Sequence, residues 1–135
     1  QQSEGKSLVH PFDDPLVIAG QGTIAMEIIK QHKGPLDAIF VCCGGGGMLA
    51  GVSAFMKTVN PETLVIGVEA ADAPSMTSSI KAGEIVTLEH VGIFADGAAV
   101  KRVGELTYEI CNELVDDMVL VDSDEICQAI KDAYY

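Results

Sequence analysis

The chain has 135 residues, 20 acidic against 8 basic side chains and a net charge of −12. That is enough for one domain with its own core, and a field of that sign repels nucleic-acid backbones and anionic lipid. With 48% apolar residues disorder is excluded, and no run of about 18 apolar residues is present to span a bilayer.

Gln1-Gln2-Ser3-Glu4 reads as the tail of a preceding segment, closed by Gly5, and Leu8-Val9-His10 as a short strand. The prolines of Pro11-Phe12-Asp13-Asp14-Pro15 make that stretch a loop, with Asp14 as N-cap and Pro15 at the first helical position. A helix is predicted from there to Lys30, broken near Gly20-Gln21-Gly22; Gln21, Gly22 and Thr23 either cap its second half, the preferred reading, or approach the active site. Residues 38–43 are apolar on both faces, the pattern of a strand buried in a parallel sheet. Four glycines follow at 44–47. Met48, Leu49, Val52, Phe55, Met56 and Val59 then fall at helical spacing, and Asn60-Pro61 stops the helix.

Residues 64–69 form a second apolar strand. Helices are predicted over 74–82, closed by Gly83, and over 105–114; a last strand covers 118–121. Asp122 and Glu125 make an aspartate version of the capping box, opening a helix that still runs at Tyr135. Strand, crossover helix, strand is the pattern of an α/β fold with a mainly parallel sheet and helices on both faces. The buried-type strands ask for more cover than the chain supplies, so it reads as a piece of a larger enzyme domain.

Cys42, Cys43, Cys111 and Cys127 contain no C-x-x-C pair. Reduced, buried thiols in an intracellular protein are expected, with Cys42 and Cys43 in the core rather than in chemistry. His10, His32 and His90 have no ligand spacing and are assigned to turns or the surface. Lys57, Lys101 and the acidic run from Glu113 to Asp117 are read as solvated charges.

The glycine run is the most informative feature. Each glycine held in one conformation costs up to about 1 kcal/mol relative to alanine. Hydrogen bonds to a charged acceptor contribute about 1.5–3 kcal/mol each, and a helix N-terminus adds about 0.3–1. Three amides on a phosphate therefore outweigh the penalty, whereas a plain turn needs only one or two glycines. Two ligands fit. In one, Gly45-x-Gly47-x-x-Ala50 is a dinucleotide fingerprint and Glu69, nineteen residues beyond Ala50, holds a ribose, as in a nicotinamide-dependent oxidoreductase. In the other, the loop grips the single phosphate of pyridoxal phosphate. A non-catalytic interaction module of the same fold is the third reading.

His10-Pro11-Phe12-Asp13-Asp14-Pro15, Val17-Ile18-Ala19-Gly20-Gln21-Gly22-Thr23 and Gly44-Gly45-Gly46-Gly47-Met48-Leu49-Ala50-Gly51 resemble the threonine dehydratase family. Val65-Ile66-Gly67-Val68-Glu69, Phe94-Ala95-Asp96-Gly97 and Val119-Leu120-Val121 follow in the family's order, and the segment 94–104 resembles its biosynthetic branch. The resemblance implies a fold-type-II pyridoxal-phosphate enzyme, tryptophan synthase β-like in its large domain. Its implied reaction deaminates L-threonine to 2-oxobutanoate and ammonia on the route to isoleucine, and L-serine is the other candidate substrate.

Residues 1–135 would be part of the catalytic domain, the phosphate-binding half, with 1–10 the exit from the smaller subdomain. The implied phosphate cup is Gly44, Gly45, Gly46, Gly47 and Met48; Asp96 and Gly97 fall where the family brings a loop to the cofactor's face. The family's Schiff-base lysine has a Ser-x-Lys-x-Arg-Gly setting that none of Lys6, Lys30, Lys33, Lys57, Lys81, Lys101 or Lys131 has. It is expected upstream, so the chain carries no catalytic residue and is inactive alone. Relatives that hold a metal at the position of Glu69 have an aspartate where this chain has Ser75, with Asp72 out of place, so no metal is expected. A homo-oligomer is implied, in the cytoplasm or, for a eukaryotic parent, in a plastid or the mitochondrial matrix, with no nucleic-acid or membrane partner.

Overall fold

In the computed structural model, residue 5 and residues 7–135 are described. Helices and strands alternate as α1 (Pro15–Gln31), β1 (Ala38–Cys42), α2 (Gly47–Val59), β2 (Leu64–Ala70), α3 (Ser75–Ala82), α4 (Glu105–Leu114), β3 (Asp117–Val121) and α5 (Ser123–Tyr134). The three strands form one parallel sheet in the order β1-β2-β3, with Phe40 beside Ile66 and Val68 beside Val119. Parallel neighbours need a crossover. α2 supplies the first, and α3, the segment 83–104 and α4 supply the second.

One sheet face, carrying Val41, Val65 and Gly67, is buried under α2, and Leu49, Val52 and Met56 of α2 are at most 1% exposed. A side chain on Gly67 would strike Met118 and Leu49, so β2, β3 and α2 meet there with no room between them. α1 and α4 pack on α2 in turn. The predicted break in α1 is absent, and it runs unbroken through Gly20-Gln21-Gly22. A Cβ on Gly22 would lie 3.1 Å from the Gly51 carbonyl oxygen, and one on Gly51 would collide with the Ile18 carbonyl. Gly22 and Gly51 let two helix backbones touch; they do not end a helix.

The second sheet face is only partly covered, in keeping with strands that ask for more cover than the chain supplies. α5 reaches the second face at Val68 and Val121, while Phe40 is 64% exposed and Val119 38%. Leu8-Val9-His10 is not a strand: it pairs with nothing among the described residues, and Leu8 and Val9 are exposed. The expectation for residues 1–10 falls partly on residues 1–4 and 6, outside the described residues. No described helix is long and apolar enough to cross a membrane.

Candidate functional site

Among the described residues, four of the five helices begin against a carboxylate. Asp14 accepts the Leu16 and Val17 amides at 2.8 and 3.2 Å and so caps α1, as its sequence position predicts. Asp122 and Glu125 close the predicted capping box on α5. The other two caps come from a distance. Asp13 accepts from the Glu105, Leu106 and Thr107 amides at the start of α4, whose own N-cap is the bare Gly104. Glu69 accepts from the Met76 and Thr77 amides, both at 2.8 Å, and from the Thr77 hydroxyl at 2.6 Å at the start of α3.

α2 differs. Its N-cap is Gly46, no side chain caps it and its first turn holds no acidic residue. The amides of Gly44, Gly45, Gly46, Gly47 and Met48 find no acceptor among the described residues. A helix N-terminus left this way carries about half a positive charge and four unsatisfied donors. The loop lies at the C-terminal end of β1, where parallel α/β sheets bind ligands. It borders a cleft of about 370 Å³ that Gly44, Gly45, Gly46, Gly47 and Met48 line together with Pro11, Phe12, Gln21, Cys42, Gly97 and Ala98. In a chain of net charge −12 this end turns backbone donors rather than basic side chains toward a cleft, the chemistry that suits an anion.

The glycines also serve the protein itself. A Cβ on Gly45 would enter the Phe12 ring, one on Gly47 would lie 2.9 Å from the Phe12 Cβ, and one on Gly44 would lie 3.1 Å from the Ala98 Cα. Gly46 has φ +95°, a conformation that side chains avoid. The run of four therefore owes its length to packing as well as to any ligand; the unpaired amides, rather than the glycine count, mark the site. Phe12 is positioned by His10, whose ring meets it edge-on at 4.7 Å and whose Nδ1 accepts the Asp13 amide at 2.8 Å. This places His10 in a turn, as expected.

The turn at 94–98, closed by the Ala98 amide on the Ala95 carbonyl at 2.9 Å, brings Gly97 to the cleft. Asp96 is exposed beside it and does not line the cleft. Sequence reasoning missed Phe12, Cys42 and Ala98, and of its two readings of Gln21 it preferred the cap. Gln21 is no cap, because α1 does not break; it faces the cleft from mid-helix. Cys42 is exposed at the cleft rather than in the core, while Cys43 is buried and burial pushes its thiol pKa up. Lys57 is not a free charge either. Its Nζ lies 2.6 Å from Asp116 and donates to the Thr63 carbonyl at 2.9 Å.

The dinucleotide reading fails at Glu69. That carboxylate is 1% exposed and fully engaged on α3, so no ribose reaches it. Burial raises its pKa, and the Thr77 and Met76 donors offset part of the rise. The Ser75 hydroxyl is buried without a partner among the described residues. No group of three His, Cys, Asp or Glu side chains is arranged to hold a metal among them.

The family model described as pyridoxal-phosphate dependent enzyme matches residues 1–135. The biosynthetic L-threonine dehydratase IlvA of Burkholderia multivorans is 58% identical over 134 residues, which are 99% of this chain and 26% of that protein. The chloroplastic biosynthetic threonine dehydratase of Arabidopsis thaliana is 56% identical over 98% of this chain and 22% of its own length. The chain thus spans about a quarter of the curated relatives it matches. Among solved structures, the processed form of threonine deaminase isoform 2 from Solanum lycopersicum superposes with a TM-score of 0.95 at 51% identity, over 98% of this chain and 38% of that one. Sequence match, superposition and an uncapped, glycine-built helix start agree, and the chain belongs to the family of pyridoxal-phosphate dependent enzymes.

Proposed function

We propose that this chain is the phosphate-holding part of an enzyme that deaminates L-threonine to 2-oxobutanoate and ammonia, with L-serine as the second candidate substrate. What carries the reading is the start of α2, the one helix N-terminus that no carboxylate caps among the described residues, with five consecutive amides that find no acceptor among those residues beside a cleft. A phosphate monoester there gains several charge-assisted hydrogen bonds of about 1.5–3 kcal/mol each. The threonine dehydratase relatives named above supply the choice of reaction.

In this reading Gly44, Gly45, Gly46, Gly47 and Met48 hold the phosphate of pyridoxal phosphate, and Gly97, with Asp96 beside it, faces the rest of the cofactor. Bound there, the cofactor supplies an electron-accepting ring that stabilises negative charge at the substrate's α-carbon. The chain's own residues bind and orient. Phe12 walls the cup, α2 directs its dipole at the phosphate, and no lysine here takes part in proton transfer. The active enzyme on this reading is a homo-oligomer of a longer chain, cytoplasmic in a bacterium and organellar in a eukaryote.

Mapping backbone amides of the protein during titration with pyridoxal phosphate tests the assignment. Gly44 through Met48 should move most and Glu69 should stay still. Movement of Glu69 with NAD, or a still glycine loop with pyridoxal phosphate, defeats it. The 135-residue chain by itself should make no 2-oxobutanoate from threonine beyond what a glycine-loop variant makes.

A further inference from the structure

The glycine loop is tied from behind. Gly45 turns its carbonyl inward, where it accepts the Thr107 hydroxyl at 2.7 Å and the Gly104 amide at 3.4 Å. The Gly46 carbonyl is also engaged, by the Ala50 amide at 2.8 Å. Peptide units are planar and trans, so the C=O of one residue and the N–H of the next point in opposite directions. Fixing the Gly45 carbonyl on Thr107 therefore fixes the Gly46 amide on the opposite side, away from α4. The Gly46 carbonyl does the same for the Gly47 amide.

Thr107 is suited to this. It is fully buried, its side chain sits where a Cβ on Gly46 would come within 3.0 Å, and its own amide is held by Asp13 at 3.3 Å. Without this anchor only the long 3.4 Å bond from the Gly104 amide holds the Gly45 carbonyl, and the 45–46 peptide joins two glycines that resist a flip weakly.

We propose that Thr107 is a positioning residue for the anion cup, setting the direction of the Gly46 amide through the Gly45 carbonyl without touching the ligand. The proposal rests on the reading of residues 44–48 as a phosphate cup and adds to it the device that aims the cup.

The experiment compares pyridoxal phosphate with pyridoxal, which lacks the phosphate, by equilibrium titration of the protein carrying this chain. Thr107→Val keeps the shape and removes the hydroxyl; Thr107→Ala removes it without pressing a methyl on the carbonyl; Thr107→Ser keeps it. One misdirected charge-assisted hydrogen bond should weaken pyridoxal phosphate about tenfold or more in the first two variants. Pyridoxal affinity should change less than about twofold, and Thr107→Ser should restore the preference for the phosphorylated ligand. If Val and Ala keep the parent's preference, or weaken both ligands equally, Thr107 does not aim the cup. A parent protein with no preference for the phosphorylated ligand would instead remove the cup itself, and this proposal with it.

Discussion

The carboxylate of Asp13 caps a helix whose first residue, Glu105, comes ninety-two positions later, with Oδ2 accepting the Glu105 amide at 3.0 Å. Oδ1 accepts the Leu106 amide at 2.9 Å, and a side chain on Gly104 would collide with the same carboxylate. Gly104 therefore leaves room for a cap that it cannot provide. Asp13→Ala should destabilise the protein by about 1–2 kcal/mol, as the loss of a helix cap does. Asp13→Asn, with one accepting oxygen, should recover part of that. Urea unfolding of the three proteins checks the order; an alanine variant as stable as the parent would mean that α4 needs no partner at its start.

Phe12 and Gly45 share one space. Gly45→Ala should cost about 1–3 kcal/mol, the usual penalty of overpacking, because its methyl enters the ring. Phe12→Leu leaves a gap and is destabilising alone, yet combined with Gly45→Ala it should give back part of the loss. Coupling of about 0.5–3 kcal/mol is typical of residues in contact, and a double-mutant cycle measures it. Simple additivity would show that ring and loop do not meet. Gly46→Ala should find no such rescue, because its φ of +95° is strained for any side chain.

Much of this fold is legible where the signal is local. Glu105–Leu114 follows from helical spacing, and Asp14 and Asp122 act on amides two or three residues away. What the sequence hides is tertiary. Asp13 and Glu69 cap helices they do not belong to, and no short pattern marks a cap that arrives from another segment. Gly22 looks like a helix breaker until Gly51 is known to press on it. Lys57 and Asp116 look like solvated charges because their pairing spans the α2–β3 junction. The glycine loop stands out in the sequence, but the other residues of the cleft it borders, Phe12, Gln21, Cys42 and Ala98 among them, come from separate stretches of chain.

The four thiols should divide by place. Cys42 is exposed at the cleft and Cys127 half-buried, whereas Cys43 and Cys111 are buried. Burial, with the Glu69 charge adding to it, pushes the Cys111 pKa up to about 12, and burial raises that of Cys43 as well. Only the thiolate alkylates readily. Timed alkylation read by mass spectrometry should label Cys42 and Cys127 in the folded protein and leave Cys43 and Cys111 until it unfolds. Pyridoxal phosphate should slow the labelling of Cys42 and leave Cys127 unchanged. Protection of Cys127 instead would place the ligand elsewhere.

Two carboxylates make stability depend on pH in opposite senses. Burial raises the Glu69 pKa above its ordinary 4.5, against the partial offset of the Thr77 and Met76 donors. Between 4.5 and that raised value the folded chain keeps a proton that the unfolded chain has released, so stability falls as pH rises through the window. For Asp116 burial acts upward too, but the Lys57 hydrogen bond and charge and the Val65 amide together hold its pKa below 3.8. Its contribution is complete above 3.8 and is lost as pH falls through the lower, folded value. Carboxyl carbon chemical shifts should therefore titrate above 4.5 for Glu69 and below 3.8 for Asp116. Glu69→Gln should flatten the decline of unfolding free energy above pH 4.5. It should also cost about 1–3 kcal/mol, because its amide nitrogen would face a backbone donor where a carboxylate oxygen now accepts. Asp116→Asn should flatten the acid limb alone. A Glu69 carboxyl titrating below 4.5 would mean that the donors at the start of α3 outweigh its burial.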